Sequence, residues 1–252
     1  MALIHNIAHR GASAYEPENT LRAFERAIEM GATMMELDMH LSRDGQSVII
    51  HDADLSRTTD GMGQVGELTL EQIRRLNAGQ GERIPTLAEV IDVVRGRAQL
   101  YIELKGQRTP AVVVDTLRAT GFADQVIVGS FFPWLPQKVK FLQLDIRTSV
   151  LVAWRDRQAD FIDWVLAVGA DYIHPCWETG SPTPHKLLTP ELVAAIRRQG
   201  LGIVVWHEER PEELRELVRL DVDGICTNTP DVLASILRMP ASRASTEQAD
   251  RI

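Results

Sequence analysis

The chain has 252 residues, a formal net charge of −8 and 44% hydrophobic residues, enough to bury one full core in a closed barrel of about 250 residues. The acidic balance argues against a nucleic-acid partner, which needs clustered Lys and Arg; here the arginines alternate with acids, as in Glu208-Glu209-Arg210 and Arg215-Glu216, and read as solvated helix surface. No run of 18 apolar residues and no basic amphipathic segment occurs, so no membrane anchor is expected.

Residues 1–6 lack the charged and long apolar regions of a secretory leader and lead directly into a first strand. With only two cysteines, Cys176 and Cys226, this points to a cytoplasmic protein with inert thiols. From there short apolar runs alternate with segments of helical periodicity. Strands are predicted at 4–8, 34–39, 99–104, 126–130, 148–152, 172–174, 202–206 and 224–227. Helices are predicted between them at 20–30, 87–94, 110–119, 135–141, 161–168, 190–198 and 211–220, with a last one after Pro230.

Pro opens several of these helices (Pro190, Pro211, Pro230), where a missing N–H costs nothing. Gly closes several others (Gly31, Gly121, Gly169, Gly200), as a left-handed cap requires. Eight strands with intervening helices predict an α/β TIM barrel, (β/α)8, more than an open sheet. The rhythm breaks once, at about 53–85, where glycines and one short helical pattern (69–76) predict a small insertion after the second strand and its hairpin. The expected organisation is a single catalytic barrel over 1–240 and a disordered polar tail at 241–252.

Glu36 and Asp38 stand two apart on the second strand and therefore share a face, leaving Leu37 and Met39 to the helices. Two carboxylates inside a barrel need a cation or hydrogen-bond donors; the plainer alternative is an outward, solvated edge. Glu103 and Lys105 repeat the pattern, either as an internal salt bridge or with Glu103 completing a metal site and Lys105 reaching a substrate phosphate oxygen. Three carboxylates without a Cys ligand favour a hard divalent cation, Mg²⁺ or Ca²⁺. His9 and His51 close strands beside these acids and read as an acid/base pair. Arg10 offers a forked donor to phosphate, with Gly11 permitting close backbone approach.

His9-Arg10-Gly11, Pro17-Glu18-Asn19-Thr20, Glu36-x-Asp38, His51-Asp52 and Glu103-x-Lys105 together closely resemble the glycerophosphodiester phosphodiesterases. Arg57-Thr58, Ile84-Pro85-Thr86-Leu87 with Glu89, Ser130-Phe131, Val205-Trp206 and the run from Asp223 to Asn228 extend the resemblance to about residue 232. The resemblance implies a TIM barrel with a small insertion and a bound cation, and the release of glycerol 3-phosphate and an alcohol from deacylated phospholipids. It implies Glu36, Asp38 and Glu103 as metal ligands, His9 and His51 as catalytic residues, Arg10 and Lys105 as phosphate contacts, and Trp206 as an aromatic wall to the substrate.

The expected partner is a small-molecule glycerophosphodiester, met by a monomer or homodimer. A related phosphodiesterase or lysophospholipase D-type enzyme is the alternative, and a silent phosphate-binding barrel the remote one. One departure stands out: where the family often reads Trp-Thr-x-Asn, this chain has Trp206-His207-Glu208-Glu209, so His207 is either a pocket group or surface. The long loop at 175–188, around Trp177, either rims the mouth or is neutral surface.

Overall fold

The computed structural model describes residues 4–153, 161–176 and 181–238; the expected tail at 241–252 and the loop centre at Trp177 lie outside them. Eight parallel strands close into a barrel: β1 (His5–His9), β2 (Met34–Leu41), β4 (Gln99–Leu104), β5 (Val126–Ser130), β6 (Arg147–Ala153), β7 (Tyr172–Cys176), β8 (Gly202–Val205) and β9 (Gly224–Thr227). β1 pairs with both β2 and β9, which seals the cylinder. A ninth strand, β3 (Ser47–Ile49), folds back antiparallel on β2 as the expected hairpin.

The helices follow the strands on the outside: α1 (Leu21–Glu29), the short α2 (Leu70–Ile73), α3 (Leu87–Val94), α4 (Thr109–Thr120), α5 (Trp134–Leu142), α6 (Phe161–Ala167), α7 (Pro190–Arg198), α8 (Pro211–Leu217) and α9 (Pro230–Arg238). Their starts are set locally. Thr20, Thr69, Thr86 and Thr189 each accept a first-turn backbone N–H, and Thr69 and Thr86 complete capping boxes with Gln72 and Glu89; such caps are worth about 1 kcal/mol each. At the other end of α4, Gly121 is left-handed at φ 64°, as its sequence position predicts.

Strand alternation divides the core in two. Met35, Leu37 and Met39 of β2 and Leu100, Ile102 and Leu104 of β4 pack outward against the helices. Ile7, Met34, Tyr101, Ile127, Leu151, Val204 and Cys226 fill the barrel interior. Glu36, Asp38 and Glu103 follow the inward parity and lie above this layer, towards the strands' C-terminal ends, where barrel sites form. Residues between β3 and α3 build a satellite core, with Leu55, Val65, Ile73, Ala78 and Ile84 closing over Val48 and Ile50.

Candidate active site

Register brings the polar residues together before any side chain is considered. His9 of β1 pairs with Glu36 of β2, and Asp38 of β2 pairs with Glu103 of β4. One carboxylate oxygen from each of Glu36, Asp38 and Glu103 lies within 4.8 Å of the others, and all three side chains are buried. The outward, solvated alternative for the Glu36–Asp38 pair is thereby excluded.

Three buried carboxylates repel one another, and the structure answers with two cations. Lys105 Nζ lies 2.5 Å from Glu103 Oε1 and 3.0 Å from Asp38 Oδ1. Arg10 Nε lies 3.2 Å from Asp38 Oδ2, and its Nη1 donates to Glu18 Oε1 at 2.9 Å. Burial would raise Asp38, but Lys105 and Arg10 outweigh it and hold the carboxyl well below its usual range. Glu36 takes the opposite direction: burial, then Asp38 and Glu103, push it well above the usual carboxylate value. Burial likewise pushes Glu103 up to about 7 against the pull of Lys105. Glu36 Oε1 and Glu103 Oε2 are buried with no hydrogen-bond partner. Hard oxygen donors, crowded and short of positive charge, fit a divalent cation.

Asn19 completes this corner. It sits in the left-handed region at φ 58° and donates Nδ2–H to Asp38 Oδ2 at 2.9 Å. Arg10, also left-handed at φ 57°, aims its backbone N–H at Glu36 Oε2, 3.0 Å away. Strained backbone at two adjacent carboxylate donors is typical of functional sites. Gly11, at φ 81°, also has a packing reason. A Cβ there would lie 2.7 Å from Ala23, so its bareness admits α1 against the first loop.

The two histidines occupy different settings. His9 is 5% exposed; its Nδ1 lies 2.6 Å from Asn228 Oδ1, while Nε2 stands 4.0 Å from Glu36 Oε2. Because the amide oxygen only accepts, the proton sits on Nδ1 and Nε2 carries the lone pair. Burial, then Arg10 and His207, lower His9 well below its ordinary value. His51 is half-buried beyond β3, with Nδ1 2.6 Å from Asp52 Oδ1. Burial, with Lys105 and Arg10, lowers it as well, against the upward pull of Asp38 and Asp52.

A chain of ion pairs then runs round the mouth: Arg57 Nε bonds Asp52, and its two Nη atoms donate to Glu18 Oε1 and Oε2 at 2.8 and 2.9 Å. Glu18 in turn holds Arg10. Trp206, just past β8, meets His9 edge-on with ring centroids 4.6 Å apart. His207 stacks on the same imidazole at 4.7 Å and 18°, so it is a site residue and not mere surface.

All eight residues expected from the sequence therefore gather at one end of the barrel. Arg10 and Lys105 are engaged by carboxylates, so the internal salt bridge considered for Lys105 is present. Glu18, Asn19, Asp52, Arg57 and Asn228 stood within the quoted motifs without assigned roles. Their signal was position: each follows, or bonds to residues that follow, the C-terminal end of a barrel strand.

Among the described residues, no helix is long and apolar enough to cross a membrane. Residues 9–232 match the model of the glycerophosphoryl diester phosphodiesterase family. A glycerophosphodiester phosphodiesterase of Caldanaerobacter subterraneus subsp. tengcongensis is 34% identical over 248 residues, covering 92% of this chain and 97% of the relative. The crystal structure of a glycerophosphodiester phosphodiesterase from Agrobacterium tumefaciens superposes with a TM-score of 0.80 at 32% identity, covering 93% of this chain and all of the other. An Oleispira antarctica phosphodiesterase, solved in complex with the product sn-glycerol-3-phosphate, superposes at 0.83 with 27% identity, covering 92% of this chain and 96% of the other. With its barrel, its cluster of buried acids and these relatives, the chain belongs to the glycerophosphoryl diester phosphodiesterase family.

Proposed function

We propose that this chain hydrolyses glycerophosphodiesters to glycerol 3-phosphate and an alcohol, with Glu36, Asp38 and Glu103 holding Mg²⁺ or Ca²⁺ and His9 and His51 moving the protons. The observation that carries the reading is the convergence of three buried carboxylate oxygens within 4.8 Å of one another beside an imidazole whose Nε2 is free to accept. A cation held there withdraws charge from a phosphate oxygen. Arg10 and Lys105 supply the remaining positive charge; both border the acids, and neither is fully buried.

His9 fits the base. Its Nδ1 is committed to Asn228, and its lowered basicity keeps Nε2 unprotonated at neutral pH. The attacking oxygen, from water or from the substrate's neighbouring glycerol hydroxyl, gives its proton to that nitrogen. His51 fits the acid, because Asp52 beside Nδ1 stabilises the imidazolium that must donate to the departing alkoxide. Trp206 forms an aromatic wall next to His9.

The reading includes one catalytic domain over 1–240 with 53–85 as its insertion, supported by the satellite core at that segment. It also includes a small-molecule substrate met by a monomer or homodimer, because the acids, cations and histidines all come from one chain. A cytoplasmic setting is supported by Cys176 and Cys226, neither of which forms a disulfide.

A second reading, a lysophospholipase D-type enzyme, is favoured by one observation. Phe131, Phe132 and Trp134 are exposed just after β5, and Phe131 stands 6.5 Å from Trp206. These rings offer an acyl chain an apolar shelf. A panel of deacylated and acylated glycerophosphodiesters, assayed in EDTA and after restoring Mg²⁺ or Ca²⁺, separates the two. We expect metal-dependent release of glycerol 3-phosphate from the deacylated set. Turnover confined to acylated substrates establishes the second reading, and no turnover of any diester overturns both.

A further inference from the structure

His207 and Glu209 lie just past the end of β8, beside Trp206, and neither has a part in the proton transfers described above. Their contacts close a ring around His9. His9 Nδ1 bonds Asn228 Oδ1 at 2.6 Å, and Asn228 N donates to Glu209 Oε1 at 3.3 Å. Glu209 Oε1 accepts from His207 Nδ1 at 2.8 Å, and the His207 ring lies over His9 at 4.7 Å and 18°. The ring joins the ends of three barrel strands: β1 through His9, β8 through the segment at 207–209, and β9 through Asn228.

Each link has one sense. A carboxylate only accepts, so His207 Nδ1 and Asn228 N both donate to Glu209. Asn228 is thereby oriented from its backbone while its side-chain oxygen faces His9, and Ser13 Oγ lies 2.8 Å from that same oxygen. On the free edge of His9, Trp206 stands at 67°. The imidazole is thus fixed by a bond in its plane, a stacked ring on one face and a T-shaped ring at 4.6 Å. Partners that fix an imidazole's tautomer and plane are what a proton acceptor needs.

We infer that His207 and Glu209 are positioning residues for His9: they hold Asn228 and the imidazole plane so that the proton stays on Nδ1 and Nε2 faces the carboxylate cluster. This rests on the reading of His9 as the base. His207 contributes chiefly its flat ring, and Glu209 chiefly its two-acceptor oxygen.

The test uses the full chain with metal restored and four variants: His207→Ala, His207→Phe, Glu209→Ala and Glu209→Gln. We expect His207→Ala and Glu209→Ala to lower kcat by about tenfold or more, in line with the loss of an oriented proton acceptor, with KM changed less than about twofold. His207→Phe keeps a ring on His9 and Glu209→Gln keeps an acceptor, so both should recover most of that loss. Nitrogen-15 histidine NMR supplies a readout independent of turnover. His9 should be the Nδ1–H tautomer in the wild type and a mixture in the two alanine variants.

A raised KM or altered alcohol preference with unchanged kcat would make His207 a substrate contact and overturn the proposal. An unchanged His9 tautomer in both alanine variants overturns it too. If an alanine variant does not fold, the Phe and Gln variants decide on the same two readouts. If the wild type turns over no diester, the catalytic reading fails, while the tautomer still reports whether the ring of contacts orients His9.

Discussion

The three carboxylates at the rim of the barrel and the layer directly beneath them are equally sealed from solvent, yet the two levels treat polar side chains in opposite ways. Beneath, Tyr101 and His174 are both fully buried and meet as a neutral pair, the hydroxyl 2.8 Å from Nδ1. Burial drives His174 down to about 3, so the imidazole carries no charge at neutral pH. At the rim, Glu36, Asp38 and Glu103 crowd together with the cations Lys105 and Arg10. The lower layer has the chemistry of a core. The rim keeps charges that folding alone gives no reason to keep, and this difference supports the proposal that the reaction is carried out there.

The largest expected effect separates the two layers by function. His9→Ala or His51→Ala should lower kcat by roughly 10²–10⁴-fold, the usual worth of one positioned proton transfer, while the melting temperature stays within a few degrees. Steady-state assays and thermal melts check both halves. Near-wild-type turnover in either variant would remove that histidine from the mechanism.

The next test addresses the lower layer by pH. His174 binds its proton at about 3 when folded and near 6.5 when unfolded. Between those values the unfolded chain holds a proton that the folded one lacks, so stability falls as pH is lowered and is unaffected above about 6.5. The slope is about 1.4 kcal/mol per pH unit for one such group. His174→Gln should show a correspondingly flatter decline between pH 6 and 4 in urea titrations. Parallel curves would mean that His174 does not stay neutral.

A smaller effect probes how tightly that layer is packed. A Cβ on Gly129 would lie 2.5 Å from the Tyr101 hydroxyl and 2.9 Å from Leu151 Cδ1. Gly129→Ala should therefore cost about 1–3 kcal/mol of stability, as overpacked cores do. Denaturant unfolding measures it; an unchanged midpoint would show that the layer yields.

Much of this division was readable before any coordinates. The i, i+2 spacing of Glu36 with Asp38 and of Glu103 with Lys105 fixes a shared face on a strand, and the intervening Leu37 and Leu104 do pack against the helices. The eight-strand barrel followed from the alternation of apolar runs with helical segments, several of them marked by Pro at the start or Gly at the end. What stayed hidden depends on which strand ends become neighbours. Asn228 meets His9 across 219 positions, and Glu209 reaches it through Asn228 and the stacked His207, so no local spacing announces the contact with His9. The reach of Lys105 to Asp38 as well as Glu103 was hidden for a related reason: periodicity gives a side chain's face, and the β2–β4 register decides which further acid it meets.

The ion-pair chain from His51 through Asp52, Arg57 and Glu18 to Arg10 has a consequence for transplanting parts of this enzyme. Arg57 belongs to the insertion at 53–85, whereas Glu18 belongs to the loop after β1 and Asp52 to the turn just before the insertion. An insertion grafted from a relative without a matching guanidinium would leave Glu18 and Asp52 without their shared partner, and would alter the setting of Arg10 and His51 without touching either. Loop exchange at this barrel mouth is thus a three-part operation, with residues 18, 52 and 57 travelling as one cassette.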